Sequence, residues 1–414
     1  MRSLSLRRVV PARAAAVLLV GGVGLAFAAA LHTTVAAQQG VVTRVFHVRE
    51  TGGIRRTEYP VSVSLQLPKG TLSDVTHARV MTNSQEVPVQ FTGRSAWDDG
   101  SVQTLEIDFN ATLDPEEDRR YELQAGASIT AAARPTRGLS AEDRATAIVV
   151  GNLTFNKSGS PLLASATYRG EGIEATGQSG VTLTDTNGRR FDLSKAQTPT
   201  LEVVKGGPLL VALRYFATVP IDDTTSIPVE IVMEMPNSKT WLKSTVTVTD
   251  RSRRLKDIAV ERPYAWSGFP VLWDFGTDSG TYGVFRAAAD AVTLTQTVNA
   301  GGPGGWRIES GAGSQRRVIE MSTGSRNRVA SGWGHLQDAK AAVAFGFARF
   351  GRDAGTYSIA LSGGGQATFR YAPTTAQTQQ QMVLYEHFVA TPIAIGAATN
   401  PTAMLSPLAV SVER

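Results

Sequence analysis

Apolar residues recur at every second position along most of this chain, and that period admits strands and excludes amphipathic helices. In "PVSVSLQLPKG", Val61, Val63, Leu65 and Leu67 face one way and Ser62, Ser64 and Gln66 the other, until Pro68-Lys69-Gly70 turns the chain. Val87, Val89 and Phe91 repeat the pattern, as do Leu105, Ile107 and Phe109. Between those two runs stands "WDDGS". Asp98, Asp99 and Gly100 fall where one strand must reverse into the next, because Asp caps nearby N–H groups and Gly accepts positive φ. Adjacent Asp residues on strand-like backbone point apart, so this pair reads as a hairpin corner and not as an acid–base couple. The spacing predicts a small sheet structure over 41–125.

Residues 126–145, "GASITAAARPTRGLSAEDRA", break the alternation and read as a linker. From 146 to 414 the pattern resumes with longer strands. "GGPLLVALRYFATV" is apolar on both faces, which predicts a strand sandwiched between layers. "IPVEIVMEM" has one wet face, and "TWLKSTVTVTD" follows as its antiparallel partner across "PNSK". "AAVAFGFARF", "TYSIAL" and "ATFRYA" continue as strands. Residues 299–317, Gly-rich, read as a long surface loop, and 376–383, "AQTQQQMV", as the one place a helix could begin. The expected fold class is all-β: a small closed N-terminal sheet, a β-barrel, followed by a larger antiparallel β-sandwich.

Residues 1–37 read as a signal peptide. Arg2, Arg7, Arg8 and Arg13 precede an apolar run of 18 residues, and small residues at Val35 and Ala37 mark a cut. The expectation is a secreted or periplasmic protein with no membrane span after cleavage. That segment carries four Arg and no acid, so the formal net charge falls from +5 to +1 without it. No basic run remains to hold a nucleic acid. With no cysteine, disulfides and thiolate chemistry are excluded, and "GPGGWR" lacks the strand–turn–helix setting of a dinucleotide site.

Segment 59–123 resembles the N-terminal RIFT-type barrel domain of the exo-rhamnogalacturonan lyase-like family, through "YPVSVSLQLPKGTLSDV", "EVPVQF" and "WDDGSVQTLEIDF" in that order. "GGPLLVALRYFATV", "IPVEIVMEMPNSKTWLKSTVTVTD", "LTQTVNAGGPGGW" and "ASGWGHLQDAKAAVAFGFARF" look like that family's central β-sandwich, and the likeness runs over about 45–395. The resemblance implies that the N-terminal barrel is six-stranded and the sandwich supersandwich-like, and it implies a C-terminal helical toroid that contributes to the substrate cleft. No amphipathic helical repeat occurs in this sequence, so the expectation is carbohydrate binding or an accessory, non-catalytic role with a polysaccharide or oligosaccharide partner. The alternatives are a polysaccharide lyase acting on uronate-containing, pectin-like glycans and a structural or assembly protein of the cell envelope.

Elimination at a uronate needs a base and a cation for the carboxylate. His387 alternates with Tyr385 on one face of "LYEHFV", and His335 follows "GWG"; with Arg307, Arg262 or Arg349 these form the candidate catalytic set. His47 and His77 fall in the barrel's strands. For sugar stacking the candidates are Tyr264, Trp266, Trp273, Trp306 and Trp333, the first three within "ERPYAWSGFPVLWDFG". Trp97 and Trp241 read as core. Asp274, Asp278 and Asp338 could bind calcium but lack the spacing of a ligand loop, so the expectation is no cofactor and no metal site, with calcium left as the alternative.

Overall fold

The long strands that alternate in the sequence bury their apolar faces in the computed structural model, which describes residues 40–158, 163–168, 171–174, 180–277, 280–323, 328–389 and 401–413. The protein is all-β with antiparallel sheets, as expected. Two large sheets dominate. One has nine strands, in the order 197–205, 210–220, 226–236, 241–249, 379–389, 342–347, 333–337, 271–275 and 281–285. The other has eight, in the order 190–192, 180–185, 255–263, 366–373, 355–362, 291–299, 302–310 and 317–321. Their inner faces share one core that includes Leu213, Ile231, Val246, Val260, Phe275, Leu294, Phe345, Phe369 and Leu384. Each such side chain stabilises the fold by about 1.5–3 kcal/mol when fully buried, so a core this size needs no disulfide.

The N-terminal residues build a five-stranded and a three-stranded sheet around Phe46, Val61, Val63, Leu105, Ile107, Phe109 and Tyr121. Six long strands come from 42–125. The short strand Gln85–Val87 and the chain's last strand, Ala409–Val412, add two more. Ala409–Val412 pairs antiparallel with Val42–Arg49, so the C-terminus returns to the N-terminal sheets instead of ending in the sandwich range 146–414.

The hairpin corner forms as the residue types dictate. Asp99 Oδ1 accepts from Ser101 N at 2.9 Å and Ser101 Oγ at 2.6 Å, while Gly100 takes φ +82°. Three expectations are corrected. Gly302–Ser310 within 299–317 is a strand, because Trp306 and Ile308 alternate into the core. Gln379–Val389 is a strand and not the start of a helix, because Gln380, Met382, Leu384, Glu386 and Phe388 all point inward. His77 lies in a 3-10 turn and not in a strand.

The N-terminal sheets seat on the sandwich through polar groups that replace lost backbone partners. The Gln90 carboxamide accepts from Leu209 N and Leu210 N and donates to Leu210 O, all at 2.9 Å. Gly207 is required there, since a Cβ would meet that amide at 2.4 Å. Lys205 reaches from the nine-stranded sheet to Asp108 at 2.9 Å, and both side chains are buried.

Candidate functional site

The outer face of the nine-stranded sheet carries most of the candidate chemistry, and strand register determines how it is laid out. One cross-strand row runs Trp241, His387, Ala344, His335, Asp274, Tyr282. The neighbouring row runs Glu234, Lys243, Tyr385, Gly346, Trp333. Tyr385, His387, His335 and Trp333 therefore share a face, although some fifty residues separate the two pairs in sequence.

Their environments differ. The His335 ring Nδ1 lies 2.8 Å from Asp274 Oδ1, which assigns the proton to that nitrogen, and His335 N donates to the same oxygen at 2.7 Å. His335 is buried and packs edge-on to Trp333. Burial first, then the positive charge of Lys239, hold His387 down at about 4, so its imidazole is neutral at pH 7. Burial, and secondarily the Glu234 carboxylate, push the Tyr385 phenol up to about 12.

Two clefts border this face, the larger of them reaching past the sheet to Pro303 of the eight-stranded sheet. The larger, 610 Å³, is lined by Trp333, Phe347, Phe350, Arg349, Arg352 and the C-terminal residues Thr402, Leu405 and Ser406. Among the described residues its lining contains no carboxylate; Arg349 pairs with Asp353 at 2.7 Å just outside it, and Arg352 is exposed. The smaller, 240 Å³, lies where the N-terminal sheets meet the sandwich. Tyr59, Trp241, Tyr385 and the Lys243–Glu234 pair, 2.6 Å apart, line it together with Leu408 and Val410.

Several expected site residues lie elsewhere. Tyr264, Trp273 and Trp306 are buried in the core between the large sheets and have no ring face open to a sugar. Trp266 is half-buried beside Tyr264. Arg307 is on the eight-stranded sheet, pairing with Glu309 at 3.2 Å, far from the His335–His387 row in the topology. Arg262 is buried against Glu386. Of the calcium candidates, Asp274 is engaged by His335 and Asp338 by Ser267, Lys340 N and Ala341 N, while Asp278 lies outside the described residues. Among the described residues no three His, Asp or Glu side chains form a group suited to a metal ion. The signal segment 1–37 also lies outside the described residues, and among those described no helix is long and apolar enough to cross a membrane. Tyr282, Arg352, Lys243 and Glu234 were not singled out by sequence; Tyr282 is 80% exposed beside Asp274.

No family model matches this chain, and no curated protein matches it. Solved structures do share the fold. An alpha-mannosidase from Enterococcus faecalis V583 superposes with a TM-score of 0.53 at 12% identity over 90% of this chain and 46% of that one. A glycosyl hydrolase family 38 protein from Enterococcus faecalis gives a TM-score of 0.53 at 12% identity over 90% and 47%. The chain thus spans about half the length of these structures.

Proposed function

We propose that this is an exported, non-catalytic saccharide-binding protein that holds acidic glycans in the larger cleft of the nine-stranded sheet. The observation that carries the reading is the Trp333 indole beside Arg349 and Arg352 in a cleft of 610 Å³, whose lining has no carboxylate among the described residues. An indole face stacks on the C–H side of a sugar ring, and a guanidinium fork grips a uronate carboxylate. The volume suits a short oligosaccharide segment. The carbohydrate-active enzymes named above, and the resemblance to the exo-rhamnogalacturonan lyase-like family in the quoted motifs, support the same reading.

Affinity electrophoresis through gels containing pectic polymer or a neutral glucan tests it. Retardation is expected in the acidic gel and should weaken with salt. The Arg349→Ala/Arg352→Ala double variant loses about 1.5–3 kcal/mol per charge-assisted contact, roughly 10- to 100-fold each, and Trp333→Ala weakens retention as well. No retardation in any glycan gel refutes the proposal. Retention by envelope extracts that survives glycan digestion points instead to the assembly role.

A second reading has one specific support: His387, neutral at pH 7, shares a face with Tyr385, whose side chain lines the smaller cleft. A lyase would use that imidazole as base. Ultraviolet-absorbing unsaturated product from uronate polymers, with or without calcium, supports it; a flat trace across several polymers rejects it.

A further inference from the structure

Between the two clefts the outer face forms a trough. Its floor is Ala344 and Gly346, the smallest side chains available. One wall is Trp333 and His335, the other Tyr385 and His387. The walls stand two strand spacings apart, about 9.5 Å, wide enough for a sugar ring laid across the floor. The trough is filled by the chain itself. Met404 is buried in one apolar cluster with Ala344 and Trp241, and Leu405 lies over Gly346, where a Cβ would come within 2.8 Å of it.

The occupant is weakly packed for a permanent core element. From Pro401 to Glu413 only Pro401, Met404 and Leu408 are buried, and all four residues of strand Ala409–Val412 are exposed. Polar contacts hold the rest. Arg56 donates to Ala403 O at 3.0 Å and Ser406 O at 2.8 Å, and the His47 ring bridges Asp118 and Glu413 at 2.9 Å each. Thr402, Leu405 and Ser406 border the larger cleft, while Pro407, Leu408 and Val410 border the smaller. This one segment separates them.

We infer that the trough is a saccharide subsite joining the two clefts, and that the C-terminal segment is its displaceable cover; the inference rests on the saccharide-binding reading above. With the segment out, an oligosaccharide runs from Trp333 across Gly346 to Tyr385, and apparent affinity is set by the fraction of molecules whose cover is open.

The chain has no cysteine, so a single engineered disulfide locks the cover cleanly. Arg49 and Ala409 are directly paired and exposed, and neither belongs to the proposed site. Oxidised Arg49→Cys/Ala409→Cys protein is expected to bind a pectic oligosaccharide at least roughly 10-fold more weakly than the same protein reduced, and the reduced form to match wild type. Equal binding by the two forms overturns the cover while leaving saccharide binding intact. No binding by wild type or by either form overturns both. If the oxidised protein fails to fold, amide exchange on wild type decides. Ser406 N, bonded to Thr402 O, and Glu413 N, bonded to Val45 O, should lose protection when oligosaccharide saturates the protein. Unchanged or increased protection rejects the cover.

Discussion

Glu386→Ala is expected to lower the unfolding free energy by about 3–5 kcal/mol, read from urea denaturation, because it strands a buried cation. Glu386 points into the sandwich from the nine-stranded sheet. Its Oε1 accepts from Arg262 Nε at 2.9 Å and from Tyr264 OH at 2.7 Å, and all three side chains are buried. Arg262 belongs to the opposite sheet, so the triad ties the two layers through charge in a mainly apolar core. Burial pushes the Tyr264 phenol well above its ordinary value, so it remains a donor at any working pH. Glu386→Gln keeps one acceptor without the charge and should fall between wild type and Ala. The control is Gln381→Ala on the outer face of the same strand, where the change should stay within about 0.5 kcal/mol. If the Ala variant unfolds at the wild-type midpoint, the carboxylate does not hold the sheets together.

That contrast between neighbours on one strand also shows what was legible in the sequence. Strands with one wet face, such as 61–67 or 229–235, declare themselves because burial on one side imposes the period. Gly302–Ser310 did not, since only Trp306 and Ile308 mark its buried face and its glycines imitate a loop. The glutamines of 379–381 hid a strand for a similar reason. Tyr385 and His387 were readable as one face; that Trp333 and His335 stand across from them depends on register, which no local pattern encodes. Trp273 was misjudged although a signal existed: it alternates in phase with Val271 and Phe275, on the core side, and out of phase with Leu272 and Asp274. Arg307 was a candidate cation by residue type alone, and it lies on the exposed face of the other large sheet, opposite to Trp306. Tyr282 and Arg352 stand singly, without a repeat to mark them. The return of Ala409–Val412 to the first strand is a long-range pairing of the same illegible kind.

The N-terminal clamp on that returning segment is expected to be as costly to break, and to give the protein a defined acid sensitivity. Glu50 is fully buried. Burial works to raise its carboxyl, but N–H donors from Gly52 and Glu116 and the Arg56 guanidinium outweigh it and hold the group at about 2, against an ordinary value of 4.5. Because the folded value is the lower one, the stabilisation is complete above about pH 4.5 and is lost progressively as pH falls towards 2. Arg56→Met removes the cation, leaves the buried carboxylate with only its N–H donors, and deprives Ala403 O and Ser406 O of theirs. The expected loss is about 3–5 kcal/mol at pH 7, measured by urea unfolding. It should narrow as the solution is acidified, because a protonated Glu50 no longer needs the missing guanidinium. Amide exchange at Ser406 should rise in the variant at neutral pH, as the segment over the trough loses its anchor. A variant whose deficit stays constant from pH 7 to pH 3 would show that Arg56 acts through packing against Tyr59, whose ring lies 5.0 Å below the guanidinium carbon, and not through the charge it supplies to Glu50.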